Sequence, residues 1–488
     1  MNEFRMKYLP QYIILLSCLT WFFVSSCSKL TITTDPGAIL TFEVDTLMFD
    51  TVFTERGSAT RSFKVFNPNS QAVRISSIML GGGATSQFRL NIDGFPSPIV
   101  NDLEVAGEDS IWIFTEVTID PDDMDAPFVV KDSVIFQTNG NEQKVLLEAF
   151  GQNANYIGES NEVFSLPCNN SVWDDPKPYV VLGFLVVDTC DLILPPGTRV
   201  HLQGGIAFSD DIPLPSGVIF VTGNASLKSN GTLNEPVVIR TDRIEPEFID
   251  VPGQWGSIWL FEGSTGNEIS YTTIRNSIVG IRVDSSATLD IDNSIIGQCS
   301  ASGLAGRHAT INGYNLLIFD TGSYNVQMEF GGDYNYRHCT FINLSANPFI
   351  SHQDPVFRVS NYWVFEDDTG QFLEENDANV IAENCIIYGN RPEEIILDNP
   401  DMVSASINYT FNHCLVRVDT LDTSSFINPI INEDPIFVDP DELDYRLDTI
   451  ISPAINAGDP NLMMPVMLDL DGNTRVDAPD IGCYEFQE

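Results

Sequence analysis

The chain has 488 residues, 43% of them hydrophobic, which is enough for several domains that each bury a core. Its 24 Lys and Arg stand against 68 Asp and Glu, a formal net charge of -44 that argues against nucleic acid as a partner, because phosphate binding needs a positive face. The same charge disfavours direct capture of polyanionic glycans unless bound cations invert it, and leaves neutral glycans and proteins as better partners.

The N-terminus begins with basic residues, continues with an apolar run over residues 12–24, and reaches small residues before Cys27. This pattern predicts that residues 1–26 are an export signal rather than a membrane-spanning helix. The stretch Val-Ser-Ser-Cys resembles the lipobox of bacterial lipoproteins, with Val where Leu is favoured. The resemblance implies cleavage before Cys27, a diacylglycerol on its sulfur, and, from the following Ser28, an outer-membrane location facing either the periplasm or the cell exterior. An ordinary signal peptide and an uncleaved anchor are the alternatives.

Residues 27–37 are predicted to be a polar linker, and residues 38–154 a β-sandwich. Roughly seven segments, such as SFKVFN and KVLLEAFG, alternate apolar with polar residues and are separated by Gly, Asn and Pro, which is typical of an immunoglobulin-like fold. The succession of Gly57, FKVFNPN, ISSI, a Ser-x-Phe at residues 86–88 and LLEAFGQ resembles the ASH or choice-of-anchor D domains. The resemblance implies a spacer or docking module rather than a catalytic domain.

One short pattern recurs at a nearly fixed period within residues 155–430. The segments YTTI, NSII, NLLI, HCTF, NYWV, NCII and HCLV follow one another at steps of 22 or 23 residues, with a last step of 29. This period and the strand-forming composition predict a solenoid of parallel strands, a right-handed parallel β-helix, in an all-β chain. The second and fourth residues of each segment are predicted to face inward. The first residues should form a corner file whose amides hydrogen-bond from coil to coil, and its asparagines are Asn293, Asn315, Asn361 and Asn384.

The earlier coils contain a PGT turn, a GTL turn, a PVVI strand and a WGSI strand that is followed by NEISYTTI. This succession resembles a group of bacterial surface β-helix lipoproteins, which implies a pectin lyase-like fold and leaves the function open. Cys168 and Cys190 lie 22 residues apart, one coil period, so they could stack within bridging distance. A disulfide and two free thiols are both compatible with that spacing.

Residues 431–488 are predicted to be a terminal cap. They contain DPIF, YRL followed by SPAINAG, DLDGNTR and DIGCYE, which together resemble the choice-of-anchor Q domain that closes parallel β-helices. The resemblance implies the architecture of anchored, extracellular proteins and fixes no reaction. Within it, Asp469, Asp471 and Asn473 place oxygen ligands at alternate positions, a pattern for calcium, although neither frame completes an EF-type loop. A structural turn is the alternative, and no other cofactor is predicted.

The sequence has no recognisable catalytic motif, since a Gly-x-Ser-x-Gly nucleophile, a phosphate-binding loop and zinc-ligand spacing are all missing from it. Trp259 and Trp363 are the aromatic residues most favoured for exposure and for stacking on sugar rings, because each neighbours a predicted inward residue. The leading hypothesis is a lipid-anchored cell-surface protein whose β-helix binds a glycan or a protein partner without catalysis. A β-helix polysaccharide lyase or glycoside hydrolase with an unrecognised site is the first alternative, and a purely structural envelope protein is the second.

Overall fold

The computed structural model describes residues 31–122, 125–209, 212–344, 346–367, 370–448, 451–462, 467–476 and 478–487. The predicted signal sequence and Cys27 lie outside these residues. The chain divides into two compact units between Asn153 and Ala154. Both are built from β-strands, and the helical segments of the described ranges are short 3-10 turns at Gly83–Thr85, Cys168–Asn170, Pro246–Phe248, Pro440–Glu442 and Pro460–Leu462. No helix within those ranges is long and apolar enough to cross a membrane.

The first unit is a sandwich of two sheets. The strands of the six-stranded sheet are β1 (Ile32–Thr33), β3 (Thr46–Phe53), β5 (Ala72–Leu80), β8 (Ile99–Val105), β10 (Phe128–Thr138) and β11 (Asn141–Gln152). Those of the five-stranded sheet are β2 (Thr41–Phe42), β4 (Arg61–Phe66), β6 (Phe88–Ile92), β7 (Phe95–Pro96) and β9 (Ser110–Val117). Alternate residues of these strands, such as Phe63, Ile113 and Phe136, are fully buried between the sheets. The predicted β-sandwich is confirmed.

The sandwich begins earlier than predicted. Strand β1 lies within residues 27–37 and pairs in parallel with β5, with Ile32 opposite Ala72. Asn69 and Gln143 donate hydrogen bonds to the carbonyls of Ile39 and Leu40, which hold the following residues against the sheets. The prediction of a linker is therefore wrong for the described end of that range, because its Ile-Thr pair adds a strand to a sheet edge.

The second unit is a parallel β-helix with three faces. The first face contains β12 (Asn155–Ile157), β14 (Tyr179–Leu182), β17 (Arg199–Gln203), β22 (Val237–Thr241), β25 (Thr272–Arg275), β28 (Ile295–Cys299), β30 (Leu317–Thr321), β32 (Thr340–Asn343), β37 (Ile386–Gly389), β40 (Leu415–Val416) and β41 (Ile430–Ile431). The second face contains β13 (Val163–Ser165), β15 (Phe184–Val187), β20 (Val218–Val221), β23 (Ser257–Leu260), β26 (Ile281–Val283), β33 (Phe357–Ser360) and β38 (Ile395–Asp398). The third contains β16 (Leu192–Leu194), β21 (Leu227–Asn230), β24 (Asn267–Ser270), β27 (Thr288–Asp292), β36 (Ala378–Glu383) and β39 (Ile407–Asn412). Two long strands, β29 (Leu304–Tyr314) and β31 (Val326–Arg337), run through both the second and the third face.

The interior of the β-helix is the core that the period predicts. Thr272, Leu316 and Cys385 from one predicted column and Ile274 and Ile387 from the other are all at most 1% exposed. On each face, the strand of one coil pairs in parallel with the strand of the next coil. Each coil therefore covers the apolar residues of the coil before it. The all-β solenoid is confirmed.

The predicted corner file is a column of left-handed residues. The φ angles of its members lie between 44° and 54° at Tyr271, Asn293, Asn315, His338, Asn384 and His413. Asn315 Nδ2 donates to Asn293 Oδ1 over 2.9 Å, and Asn384 Nδ2 lies 3.2 Å from His338 Nε2. Asparagine tolerates this left-handed conformation, and the amides of Asn315 and Asn384 link them to the corner residue of the previous coil.

Asn361 does not belong to this file. His338 and Asn384 are in adjacent coils although 46 residues separate them, and β32 pairs directly with β37. Between them, β34 (Tyr362–Asp367) pairs with β35 (Gly370–Glu375) in an antiparallel hairpin outside the stack. Asn361 stands at the base of this hairpin, where its Nδ2 donates to Asn399 and Ala405. The prediction for Asn361 is wrong because a hairpin insertion happens to match the coil period.

The C-terminal segment, residues 432–487, lies along the side of the β-helix rather than across its end. Its described residues include the hairpin β42 (Phe437–Asp439) and β43 (Asp444–Leu447) and two short 3-10 turns. Its apolar side chains, including Leu447, Ile481 and Cys483, pack on the outer surface of the first face, where Phe319 and Ile342 are buried. The predicted cap at residues 431–488 is thus corrected to a lateral cover of the first face.

A second hairpin and a disulfide complete the unit. Strands β18 (Ile206–Ser209) and β19 (Ile212–Pro215) form an antiparallel hairpin between the first and second faces. Cys168 and Cys190 are joined by a disulfide with a Cα–Cα distance of 5.6 Å. The bridge ties the 3-10 turn before β14 to the coil that follows it.

Candidate functional site

The outer surface of the second face carries a continuous file of residues, one from each coil. The parallel register aligns Val186, Phe220, Trp259, Arg282, Ala305, Gln327, Arg358 and Ile396. Ile258 and Leu260 on either side of Trp259 are fully buried, so Trp259 points away from the core. Aromatic, guanidinium and amide side chains therefore occupy the same outward position in successive coils.

Trp259 is half-buried and held by its neighbours. The Arg282 guanidinium lies 4.0 Å from the centre of the indole, and the ring of Phe261 stacks on it at 4.8 Å. The indole Nε1 donates to Asp284 Oδ2 over 2.7 Å, and Arg282 Nε donates to the other oxygen of the same carboxylate over 3.0 Å. Phe261 is 36% exposed and therefore offers a more open ring than Trp259.

Trp363 reaches the same face from the hairpin β34–β35. This hairpin leaves the solenoid at the corner between the second and third faces, and the Trp363 indole lies 4.2 Å from the guanidinium of Arg307. Arg307 is also 5.8 Å from the ring of Phe330. Its Nε is buried and, among the residues that the structure describes, has no hydrogen-bond partner. Trp363 is half-buried, and a cation–π contact fixes it beside the file.

A polar network surrounds Arg358, further along the file. Arg358 Nη1 donates to Glu329 and Nη2 donates to Asp398, each over 2.9 Å. Gln327 Nε2 donates to the same oxygen of Glu329 over 2.9 Å. Tyr362, from the start of the hairpin, donates its hydroxyl to Asp398 over 2.8 Å. These planar groups are rigidly oriented and only partly exposed, an arrangement that suits hydrogen bonding to hydroxyl-rich ligands.

The ionisation of this network follows from its contacts. The hydrogen bond to Asp398 raises the pKa of the Tyr362 hydroxyl, and burial adds to the effect. Burial is the largest single influence and works to lower the pKa of Arg358, but the hydrogen bond to Asp398 and the charges of Tyr324, Glu329 and Asp398 together raise the pKa above its usual value. At neutral pH, Tyr362 is therefore a hydroxyl donor and Arg358 a fixed cation.

The structure thus brings both predicted tryptophans to one face, because Trp363 lies against Arg307, and the coil of Arg307 is the second one after the coil of Trp259. Sequence reasoning missed Phe261, Arg282, Arg307, Arg358 and Tyr362. The signal was present for Arg282, because Trp259, Arg282, Ala305 and Gln327 recur at the coil period of 22 or 23 residues, and for Phe261 and Arg307, which stand two positions after Trp259 and Ala305. Arg358 was hidden by the 31-residue step that precedes it, and Tyr362 by the hairpin.

The carboxylates of this face serve as scaffold. Asp284, Glu329 and Asp398 each accept from an arginine and from one further side-chain donor. Catalytic carboxylate pairs of glycosidases flank a bond and need a proton or a lone pair free for the substrate. Here the donors to Glu329 share one of its oxygens and the donors to Asp398 share one of its oxygens, so these contacts orient Arg358 and Tyr362 and leave the second oxygen of each carboxylate outside this network.

The predicted calcium motif forms a closed turn within the C-terminal segment. Asp469 is fully buried, and its oxygens accept from Asn473 N at 2.6 Å, Asn473 Nδ2 at 3.0 Å and Glu485 N at 2.8 Å. Burial, and then the charge of Asp469, raise the pKa of Asp471. No group of three His, Cys, Asp or Glu able to hold a metal occurs in the described part of the chain. Protein donors therefore satisfy Asp469 in this turn, and calcium binding stays a prediction.

Comparison with known proteins finds similarity at the level of solved structures. No family model and no curated protein sequence matches the chain. The pectate lyase Pel9A is 11% identical, with 69% of this chain and 88% of that chain covered and a TM-score of 0.29. A GH87 α-1,3-glucanase from Streptomyces thermodiastaticus is 8% identical, with 73% of each chain covered and a TM-score of 0.26.

Two further similarities are to other kinds of protein. The PapD-like domain 7 of human CEP192, an ASH domain, is 10% identical, with 27% of this chain and 94% of that domain covered and a TM-score of 0.17. The chain also matches the Vibrio cholerae VesB protease, of which it spans only 31%, at 11% identity and a TM-score of 0.17. At these identities and scores the likenesses assign no activity, and the site has to be interpreted from its own geometry.

Proposed function

We propose that this protein binds a glycan along the outer surface of the second face, without cleaving it. The single observation that carries the proposal is the alignment of outward residues from Phe220 to Arg358 in successive coils, with Trp363 beside Arg307. Coils are spaced about 4.8 Å apart, close to the length of one sugar unit, so consecutive residues of the file can contact consecutive rings.

The chemistry of the file supports a sugar ligand. Phe261 and Trp363 provide ring surface for the C–H faces of sugars, while Arg282, Gln327 and Tyr362 provide hydrogen-bond groups in fixed orientations. Because the sequence has no recognisable catalytic motif, we favour binding without turnover over hydrolysis. The net charge of -44 favours a neutral glycan over an acidic one for this face.

We also propose, from the lipobox-like stretch, that a lipid on Cys27 anchors the chain at the outer membrane. The sandwich would then act as a spacer that presents the β-helix. Labelling cells with a radioactive fatty acid tests this proposal: label should appear in the wild-type chain and disappear in Cys27→Ala. Label that persists in Cys27→Ala would contradict it.

A glycan panel tests the binding proposal. We expect the purified chain to be retained by at least one neutral plant, algal or host polysaccharide, and the polysaccharide to keep its length. Trp363→Ala should weaken retention about tenfold or more, since an aromatic anchor of a binding site is worth more than about 1.4 kcal/mol.

Trp112 provides the matched control. It is an exposed tryptophan of the sandwich, 40% accessible, stacked on Phe114 and contacted by Lys64. Trp112→Ala should leave glycan retention unchanged. Shortened or unsaturated products would instead favour a lyase or hydrolase, and absence of retention together with a co-purifying protein would favour a structural envelope role.

A further inference from the structure

Two arginines stand next to each other on the outer surface of the first face, away from the proposed glycan site. Ile239 pairs with Ile274 in the parallel ladder, so the residues that follow them, Arg240 and Arg275, occupy the same outward position in adjacent coils. The next coil places Gly297 in register with Arg275. The two guanidinium groups therefore rise from strands that are about 4.8 Å apart.

Neither guanidinium has a carboxylate partner. Among the described residues, no carboxylate oxygen lies within 4.0 Å of Arg240 or Arg275 and no hydrogen bond from either side chain is formed, and the Nε atoms of both are buried without an acceptor. By contrast, Arg282, Arg337 and Arg358 each lie within 3.0 Å of a carboxylate oxygen. In a chain with 68 acidic and 24 basic residues, two adjacent arginines that contact no carboxylate are an unusual arrangement.

The surroundings of the pair form a partly closed site. Burial lowers the pKa of both arginines, and the charge of Arg275 lowers the pKa of Arg240 further. The ring of Phe319 lies 5.5 Å from the Arg275 guanidinium, and Tyr445 and Tyr484 of the C-terminal segment are close enough to influence its charge. The arginine pair thus lies on the first face, next to the part of the C-terminal segment that contains Tyr445 and Tyr484.

The two carboxylates that act on the charge of Arg275 form hydrogen bonds with other residues. Asp250 and Asp320 both act on the charge of Arg275 from a distance. Asp250 Oδ1 accepts from Gln298 Nε2 over 2.5 Å, and Asp320 Oδ2 accepts from Asn347 Nδ2 over 3.4 Å. Asn276 Nδ2 donates to the carbonyls of Ile249 and Val251 and holds the loop that carries Asp250 in place. These contacts fix both carboxylates at the corner and leave the donors of the arginine pair available.

We propose that Arg240 and Arg275 form an anion-binding site that takes a carboxylate, phosphate or sulfate group of a ligand. Two half-buried guanidiniums on adjacent coils can donate two parallel pairs of hydrogen bonds to such a group, and its negative charge relieves their mutual repulsion. This site is separate from the second face, so the proposal does not depend on glycan binding there.

Isothermal titration calorimetry of the full chain at low ionic strength tests the site with three probes: sodium sulfate, inorganic phosphate and trigalacturonate. We expect saturable binding of at least one probe with one site per chain. Tightest binding by trigalacturonate would indicate a carboxylate carried on a sugar, and tightest binding by phosphate or sulfate would indicate a free oxyanion or its ester. Absence of saturable binding by all three probes would overturn the proposal.

Arginine variants provide the internal test. Arg240→Gln and Arg275→Gln should each weaken binding tenfold or more, and Arg275→Lys should weaken it as well because one ammonium cannot donate a parallel pair of bonds. Removal of one of two unpaired charges should leave the melting temperature equal to or above that of the wild type without anion, which separates lost binding from lost folding. Arg89→Gln, at an exposed arginine of the sandwich, should leave the affinity unchanged. Unchanged affinity in Arg240→Gln and Arg275→Gln would show that the arginine pair is not the site.

Discussion

Asn315 links two parts of the second unit through one side chain. It is fully buried with a φ of 54°, and its Nδ2 donates both to Asn293 in the previous coil and to the Leu468 carbonyl over 2.7 Å. Its Oδ1 accepts from Arg475 Nη2 over 2.7 Å. Arg475 is 2% exposed and also bonds Glu485 and the Gly482 carbonyl. A corner residue of the solenoid is therefore also the attachment point of the C-terminal segment.

Asn315→Ala should lower the free energy of unfolding of the β-helix by about 3 kcal/mol, because it removes three buried hydrogen bonds and leaves Arg475 short of an acceptor. Asn312→Ala is the control. Asn312 also links coils, through Asp290 and Asn335, but on the outer surface of the third face, so its loss should cost about 1 kcal/mol or less. Calorimetric melts of the full-length variants measure the difference. An equal loss of unfolding free energy in the two variants would mean that the corner file contributes no more to stability than the outer surface does.

His201 should make stability depend on pH. Burial is the main cause that lowers its pKa from 6.5 to about 4, Arg240 and Arg199 act in the same direction, and the bond from Nδ1 to the Thr241 carbonyl opposes them. Below pH 6.5 the imidazole is protonated in the unfolded chain, whereas in the folded chain it stays neutral until the pH falls to about 4. The stability that neutral His201 provides is therefore present above pH 6.5 and is lost as the pH falls towards 4, in total about 3 kcal/mol.

Urea titrations of the wild type and of His201→Asn between pH 7.5 and 4.5 measure this effect. The variant should lose less stability than the wild type over that range. Burial also lowers the pKa of His338, but His338 is present in both proteins, so the difference between the two curves isolates His201. Parallel curves would contradict the assignment.

The hairpin β34–β35 is an element inserted into the corner of one coil. Asn376 N donates to the Asn361 carbonyl over 3.0 Å, so the two ends of the insertion are already adjacent without it. Several of its side chains, including Phe372 and Leu373, are exposed. It therefore contributes little to the interior core and supplies Tyr362 and Trp363 to the second face.

Replacement of residues 362–375 by Gly-Gly should leave the β-helix folded. We expect a change of a few degrees in melting temperature, because short insertions at exposed corners are removed at low cost when their ends are close. Glycan retention should fall about tenfold or more, as in Trp363→Ala. Circular dichroism and the glycan panel measure the two outcomes. Loss of cooperative melting would show that the hairpin is part of the fold rather than an addition to it.

This hairpin also marks the limit of inference from the repeat. The period predicted the inward columns and the left-handed corner correctly, since both are set by stacking at every coil. It failed at Asn361 because NYWV has the composition and the spacing of a coil strand, and only pairing partners distinguish the two. The proposed site could be inferred as far as its two tryptophans. The arginine network could not be predicted in this way, because its positions depend on the lengths of loops, which vary from coil to coil.

At the scale of the whole unit, the first face is covered over part of its length. Along the later coils its outer residues are apolar, and Leu317, Phe319, Ile342, Ile386 and Leu415 are buried under the C-terminal segment. Along earlier coils the same outward positions hold His201, Arg240 and Arg275. Strands that are apolar on both sides were the sequence signal for a covering layer, as in sheets buried on both faces. The C-terminal segment thus protects the apolar coils and ends beside the arginine pair.

A single charge under this cover should detach it. Ile481 is fully buried in the cluster with Phe319 and Ile342, so Ile481→Asp should destabilise the β-helix by more than about 3 kcal/mol, because an unpaired carboxylate cannot be solvated there. Val476, 55% exposed in the same segment, provides the control, and Val476→Asp should change stability by less than about 0.5 kcal/mol. Detachment would expose the apolar outer residues of the later coils, which should appear as increased binding of a hydrophobic dye and as aggregation in Ile481→Asp only. If Ile481→Asp melts like the wild type and binds no more dye, the segment does not cover the first face in solution.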